Sequence, residues 1–428
     1  MPELSRRALT LIAVVVLTGT ASAQRPSPDP RVRLREGIKR DALDAEGRRT
    51  YDFVVNATSP HRDGLPAPIG MWMHSPRMAQ HILPTYMYLR FGTQLNLRTK
   101  ELAILITARH VNSRTQWGTH GRNARMIGVD QQVIDVIGDG SPLAGLAETD
   151  ALVIRFGREL LGDRQVSAET FVRALKLFGR RGVSDLAGLM AFYEFLYLSS
   201  NVTFDLEAGG TYPPLPALAG RKPSPRPSRA ALPTDINPDS RARLPAVNRD
   251  DLDAEGKKTY DAIVNPKTPY SRGLPSPIGM WMHSPEMAQH VLPAYMYLRF
   301  GNPFGVRTTE LAILATARQI NSQYQWTSHE PTALKAGLEA NIIDVVKHRK
   351  SLEGLGEKDA LVIRFSRELL GDRKITAETF ARALNAFGAV GVTDLAGLMA
   401  FYDFLFLSSN ATFDIQMPQG QAPLLPLP

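Results

Sequence analysis

Among its 428 residues the chain has no cysteine, which removes disulfides, thiolate nucleophiles, thiolate metal sites and a lipid-bearing cysteine together. Histidine is scarce at nine and tryptophan scarcer at four. No HExxH or HxxEH run occurs and no two histidines are spaced i, i+4, so a metal site is not expected, and no cofactor is either. Long apolar runs are few. The one at Ala8 to Leu17 is shorter than the roughly 20 residues a membrane-spanning helix needs, so no stable membrane anchor is expected. Arg6 and Arg7 precede it and Ala21-Ser22-Ala23 follows it, the layout of an export signal over residues 1–23 with cleavage before Gln24. The expected address is periplasmic or secreted.

A basic folded face is also missing. Residues 1–40 and residues 216–249 each carry a net +5, which leaves −2 on the rest of a chain whose total is +8. Nucleic acid is therefore not an expected partner. Strand-like alternation is hard to find anywhere. With 43% hydrophobic and 21% charged residues, the chain has material for two ordinary domains.

What is present is a duplication. "IGMWMHSP" occurs at Ile69 and Ile278, "YMYLRFG" at Tyr86 and Tyr295, "RELLGDR" at Arg158 and Arg367, and "DLAGLMAFY" at Asp185 and Asp394, all at an offset of 209. The copies span 41–207 and 250–416, joined over 208–249 by a Pro- and Arg-rich stretch that reads as an extended spacer. Each copy reads as all-α, about six to eight helices. Thr99 is the expected cap of the helix "TKELAILITARHV", and Ser167 caps "SAETFVRALKLFG", which is expected to end at Gly179. The apolar run from Val183 is expected to be the most buried helix.

The residues able to do chemistry cluster around "RTQWGTH" at Arg114 and its counterpart "QYQWTSH" at Gln323. A helix there puts Ser113, Gln116, Trp117 and His120 on one face, as it does Ser322, Gln325, Trp326 and His329. Glu101, or Glu310, arriving from the preceding helix would complete an acid/base pair. The bland alternative is that Glu101 pairs with Arg98 or Arg109 on the surface. A second set is "MWMH", with Trp72 and His74 repeated as Trp281 and His283; a core plug and a pocket wall both remain open for it. His81 and His290 read as helix surface. Asn56, Asn201 and Asn410 head glycosylation sequons.

The run Glu101-x11-Ser113-x2-Gln116-Trp117-x2-His120 resembles the signature of the carboxymuconolactone decarboxylase family, which includes the alkyl hydroperoxidase D-like proteins. Peroxidase members carry a C-x-x-C where this chain has Ser113 and Gln116, or Ser322 and Gln325, so the resemblance is to the thiol-less branch. It implies two repeats of an alkyl hydroperoxidase D-like helical bundle and a carbon–carbon lyase acting on a small carboxylated lactone or enol acid. His120 and His329 would be the proton donors, with Glu101 and Glu310 as orienting partners. Ser113, Gln116, Ser322 and Gln325 would bind the oxyanion and Trp117 and Trp326 would form a flat wall. Arg98, Arg109, Arg307 and Arg318 would bind a carboxylate, and His74 and His283 would line the pocket. It also implies a homo-oligomer, with a trimer of two-domain chains as the simplest ring. A non-catalytic small-acid binding protein is the alternative; a thiol-free peroxidase is a third.

Overall fold

The computed structural model describes residues 33–34, 38–203, 212–213, 215–218, 242–410 and 424–425. The expected export signal and much of the expected linker lie outside these residues. Among the described residues all regular structure is helical and there is no strand. The first copy forms α1 (Ala45–Val54), α2 (Pro76–Met87), α3 (Leu97–His110), α4 (Arg114–Met126), α5 (Gln131–Asp139), α6 (Glu148–Gly157) and α7 (Ala168–Thr203). The second forms α8 (Ala254–Ile263), α9 (Pro285–Met296), α10 (Gly305–Gln319), α11 (Gln323–Lys335), α12 (Ala340–Lys347), α13 (Glu357–Ser366) and α14 (Ala377–Asn410).

Local chemistry sets the ends of these helices. Ser75, Ser113 and Ser167 each accept a backbone N–H three residues on, at 3.4, 3.2 and 3.3 Å, and so satisfy donors that the first turn leaves without partners. The cap of α3 is not Thr99 but Asn96, whose Oδ1 accepts from Thr99 N at 2.8 Å; asparagine caps at least as well, and the helix gains three residues. Helices α2 and α6 widen into π turns at Tyr88–Gly92 and Arg158–Asp163, as do α9 and α13 at Tyr297–Gly301 and Arg367–Asp372. At Gly179 the backbone takes φ 67°, a conformation glycine alone adopts without strain, but the helix resumes at once instead of ending.

Beyond that kink every residue from Val183 to Thr203 is buried. The equivalent α14 is apolar and long enough to cross a membrane, but 89% of its apolar window is buried inside the protein, which marks a core helix. Helices α7 and α14 pack on each other through Phe192 against Phe404 and Phe195 against Phe401, both edge-to-face at 6.1 Å. The contacts are reciprocal. His81 lies on Tyr297 and His290 on Tyr88 at 5.7 and 5.6 Å, so these partly exposed histidines pack on the other copy. Ser284 Oγ donates to Asp185 Oδ1 at 2.6 Å, and burial pushes the Asp185 carboxyl up to about 6.

The ends of the copies are tied crosswise. Arg164 and Arg373 follow the second π turn of each copy at φ 54° and 55°. Arg164 Nη1 donates to Asp403 Oδ1 at 2.5 Å, and Arg373 Nη1 donates to His110 O at 2.7 Å beside Glu194. The arms that precede the copies cross over as well. Arg33 donates to Ile375 O at 2.8 Å and covers Phe380, while Arg243 covers Phe171 at 5.2 Å. Asn201, head of the second sequon, is buried with its amide on Arg373 O, which leaves no room for a glycan.

Candidate active site

Glu101 sits in the first turns of α3 with no exposed surface. A buried carboxylate is costly unless its charge is matched, and here each oxygen has its own partner. Arg90, turned inward by the π turn after α2, donates Nη2 to Glu101 Oε1 at 2.5 Å. His120, from the middle of α4, places Nδ1 at 2.8 Å from Glu101 Oε2. The second copy repeats this unit, with Arg299 at 2.8 Å from Glu310 Oε1 and His329 Nδ1 at 2.8 Å from Glu310 Oε2. Each imidazole stands edge-on to a tyrosine of the long helix, Tyr193 at 5.3 Å and Tyr402 at 5.4 Å.

The electrostatics fix the protons. Burial would raise the Glu101 carboxyl, but Arg90 and His120 outweigh it and hold it down at about 2. Burial would likewise raise Glu310, and His329 with Arg299 holds it down. Both carboxylates are ionised near neutrality, so each imidazole keeps its proton on Nδ1 and turns Nε2 away from the carboxylate. Burial, then Arg299, lowers the basicity of His329 against the pull of Glu310, so it rests neutral at pH 7.

The other expected residues divide. Ser113 and Ser322 sit beside the unit as caps, their Oγ atoms accepting from Gln116 N and Gln325 N. Gln325 donates Nε2 to Tyr402 O at 2.8 Å, and Gln116 faces Tyr193 O at 3.5 Å. A carbonyl neighbour fixes the amide orientation, so Oε1 of each is the buried atom left without a protein partner. That atom accepts from a hydroxyl and repels an oxyanion. Trp117 is half-buried and Trp326 fully buried.

Arg98 and Arg307 are not brought to the unit. They fork onto Asp150, at 3.0 and 2.6 Å, and Asp359, at 2.8 and 2.9 Å, joining α3 to α6 and α10 to α13. Arg109 donates to Asn112 and to Pro216 O, and Arg318 to Asn321. Neither Arg98 nor Arg109 pairs with Glu101. The "MWMH" turns are core: Trp72 and Trp281 are 1% exposed, and their indole N–H groups donate to Ser199 and Ser408 at 3.0 Å. His283 bonds Pro245 O at 3.0 Å, burial lowering it to about 4, and His74 is buried in the same turn. Among the described residues no three His, Asp or Glu side chains group as metal ligands.

Two members of the unit were missed in the sequence. Arg90 lies in "YMYLRFG" and Tyr193 ends "DLAGLMAFY", both identical in the two copies. That identity also covers core residues, so it did not single them out. The chain matches no protein-family model, no curated protein and no solved structure.

Proposed function

We propose that each copy is a proton-transfer site, and that the chain acts as a carboxymuconolactone decarboxylase-like lyase on a small carboxylated lactone or enol acid. The observation that carries this reading is the orientation of His120 and His329. Each holds Nδ1–H on a carboxylate that an arginine keeps ionised, which leaves Nε2 as the group available for exchange.

A neutral imidazole in this tautomer cannot begin as a donor. It first takes a proton from solvent at Nε2, since the substrate carboxyl group is itself ionised near neutrality; the carbon–carbon bond then breaks, carbon dioxide leaves, and the electron pair moves onto the conjugated carbonyl as an enolate. The same proton passes from Nε2 to carbon, so the atoms balance and the imidazole returns to its starting form. Glu101 and Glu310 stabilise the transient imidazolium, and Arg90 and Arg299 keep those carboxylates from taking the proton themselves. The buried Oε1 of Gln116 or Gln325 is placed to accept from a substrate hydroxyl.

The test is carbon dioxide release from a panel of lactone acids. The variant carrying His120→Gln and His329→Gln is expected to lose turnover while its helical circular dichroism is unchanged. Undiminished turnover would reduce the unit to a structural ion triad. Calorimetric binding of these acids by the unaltered chain without product would make it a binding protein. With His120 replaced, the rate left at His329 is expected to rise as pH falls and to level off only below pH 6.5, the ordinary imidazole value of about that size, because the donor is the protonated form and burial lowers its basicity. A rate that instead falls with acidity would assign the neutral form as the working one.

A further inference from the structure

Two carboxyl groups lie where the copies meet and belong to neither Glu–His unit. Asp185, near the start of the buried stretch of α7, and Asp394, its counterpart in α14, have no exposed surface, and each is faced by groups of the other copy. Asp185 accepts from Ser284 at 2.6 Å and from Tyr88 at 3.2 Å. Arg181 stands 3.9 Å away but is also engaged by Glu286 of the second copy. Lys100 adds a more distant ammonium, which Thr93 O holds at 3.0 Å.

Asp394 is the barer of the two. Its Oδ2 accepts from Tyr297 at 2.8 Å, and its Oδ1 is buried with no hydrogen-bond partner. Ser75 and Arg77 of the first copy are the other polar groups that face it, and the Arg77 guanidinium lies over the Tyr297 ring at 5.6 Å. The cations of the first end are absent by sequence, since Val390 stands for Arg181 and Thr309 for Lys100. A carboxylate buried with so few donors is costly, and keeping the proton is the cheaper state. Burial pushes both carboxyls up to about 6, against the pull of Ser284, Arg181 and Tyr88 on Asp185 and of Ser75, Tyr297 and Arg77 on Asp394.

We propose that Asp185 and Asp394 form a proton-operated clasp between the copies, tight when both carboxyls are neutral and loosened when they ionise. The ordinary value of each acid is 3.8, so the stabilisation is complete below pH 3.8 and is lost as pH rises through about 6. That sign is opposite to the one Glu101 carries. The clasp does not depend on the proton-transfer reading.

The test compares the full chain with its Asp185→Asn, Asp394→Asn variant between pH 4 and pH 8. Asparagine keeps the shape of the neutral acid and cannot ionise. The variant is expected to melt about 5 °C or more above the unaltered chain at pH 8, with the gap narrowing steadily toward pH 4. Hydrogen exchange, corrected for the intrinsic rate at each pH, reads the contact directly. In the unaltered chain the turns Tyr88–Gly92 and Tyr297–Gly301 are expected to open about tenfold more often at pH 8 than at pH 5, and in the variant equally at both. A gap in melting that does not vary with pH, a variant less stable than the unaltered chain at pH 8, or exchange in the unaltered chain indifferent to pH would each overturn the proposal. The last of these needs no substitution, so it decides even if the variant does not fold.

Discussion

Trp117 and Trp326 hold the same place in the two copies, beside the same Glu–His unit, but their neighbours differ. Trp326 donates Nε1 to Glu330 Oε2 at 2.6 Å, and Lys347 lies over its ring at 5.5 Å while pairing with Glu330 at 3.0 Å. In the first copy glycines stand at both positions, Gly121 and Gly138. There the edge of Trp117 and Pro216 take up the space, and a Cβ on Gly138 would lie 3.1 Å from Trp117 Cζ2 and 3.2 Å from Pro216. The chain that follows the long helix is seated differently too. Tyr212 lies flat on Gly118, whereas Thr327, at the matching position, accepts from Leu424 N. The chemical unit is the same while its surroundings are of different polarity, so under the proposed reading the copies differ in substrate preference and not in reaction.

The largest effects are expected where the copies agree. Glu101→Leu strands Arg90, and removing one member of a buried ion pair costs about 3–5 kcal/mol. Denaturant unfolding is expected to show that loss, to show a similar one for Glu310→Leu, and to recover much of it when Arg90→Leu is added to Glu101→Leu. An acid titration is next in size. Glu101 is held at about 2, below its ordinary 4.5, so its contribution is complete above pH 4.5 and is lost as pH falls toward 2. A melting temperature that does not fall across that window would contradict the assigned charge state.

Where the copies differ, effects are smaller. Glu330→Gln leaves Lys347 without its carboxylate, expected to cost about 1 kcal/mol and to red-shift tryptophan emission as Trp326 loosens; no substitution at Gly121 can reproduce this shift without a lysine at 138. Gly118→Ala is the mildest. Its Cβ would fall 2.1 Å from the Tyr212 ring, so the segment around Tyr212 must lift, and limited proteolysis there is expected to quicken with little change in melting. Thr327→Ala is expected to cause no comparable exposure.

Much of the helical architecture was legible because periodicity and the repeat pointed the same way, while two helix ends, at Thr99 and Gly179, were misplaced; the burial of Val183 to Thr203 follows directly from its composition. The nearness of Glu101 to His120 was legible as well, since helix spacing and a short turn leave α3 and α4 side by side. Arg90 was not. It enters through a π turn, which shifts the facing of a side chain relative to an α-helical count and has no period of its own in the sequence. The linker misled for another reason. Its Pro-rich composition reads as an extended, semi-rigid spacer, but Tyr212 and Pro216 are laid against the first copy by Gly118, Thr119 and Arg109, contacts that no local pattern announces.

The crossed arms have a consequence for how the molecule can be divided. Arg33 precedes the first copy and is seated on Phe380 of the second, while Arg243 precedes the second and is seated on Phe171 of the first. A chain cut between 218 and 242 would yield two fragments, each carrying an arm whose seat is on the other. Such fragments are natural complements, and co-expression is the route by which either half would be recovered in soluble form.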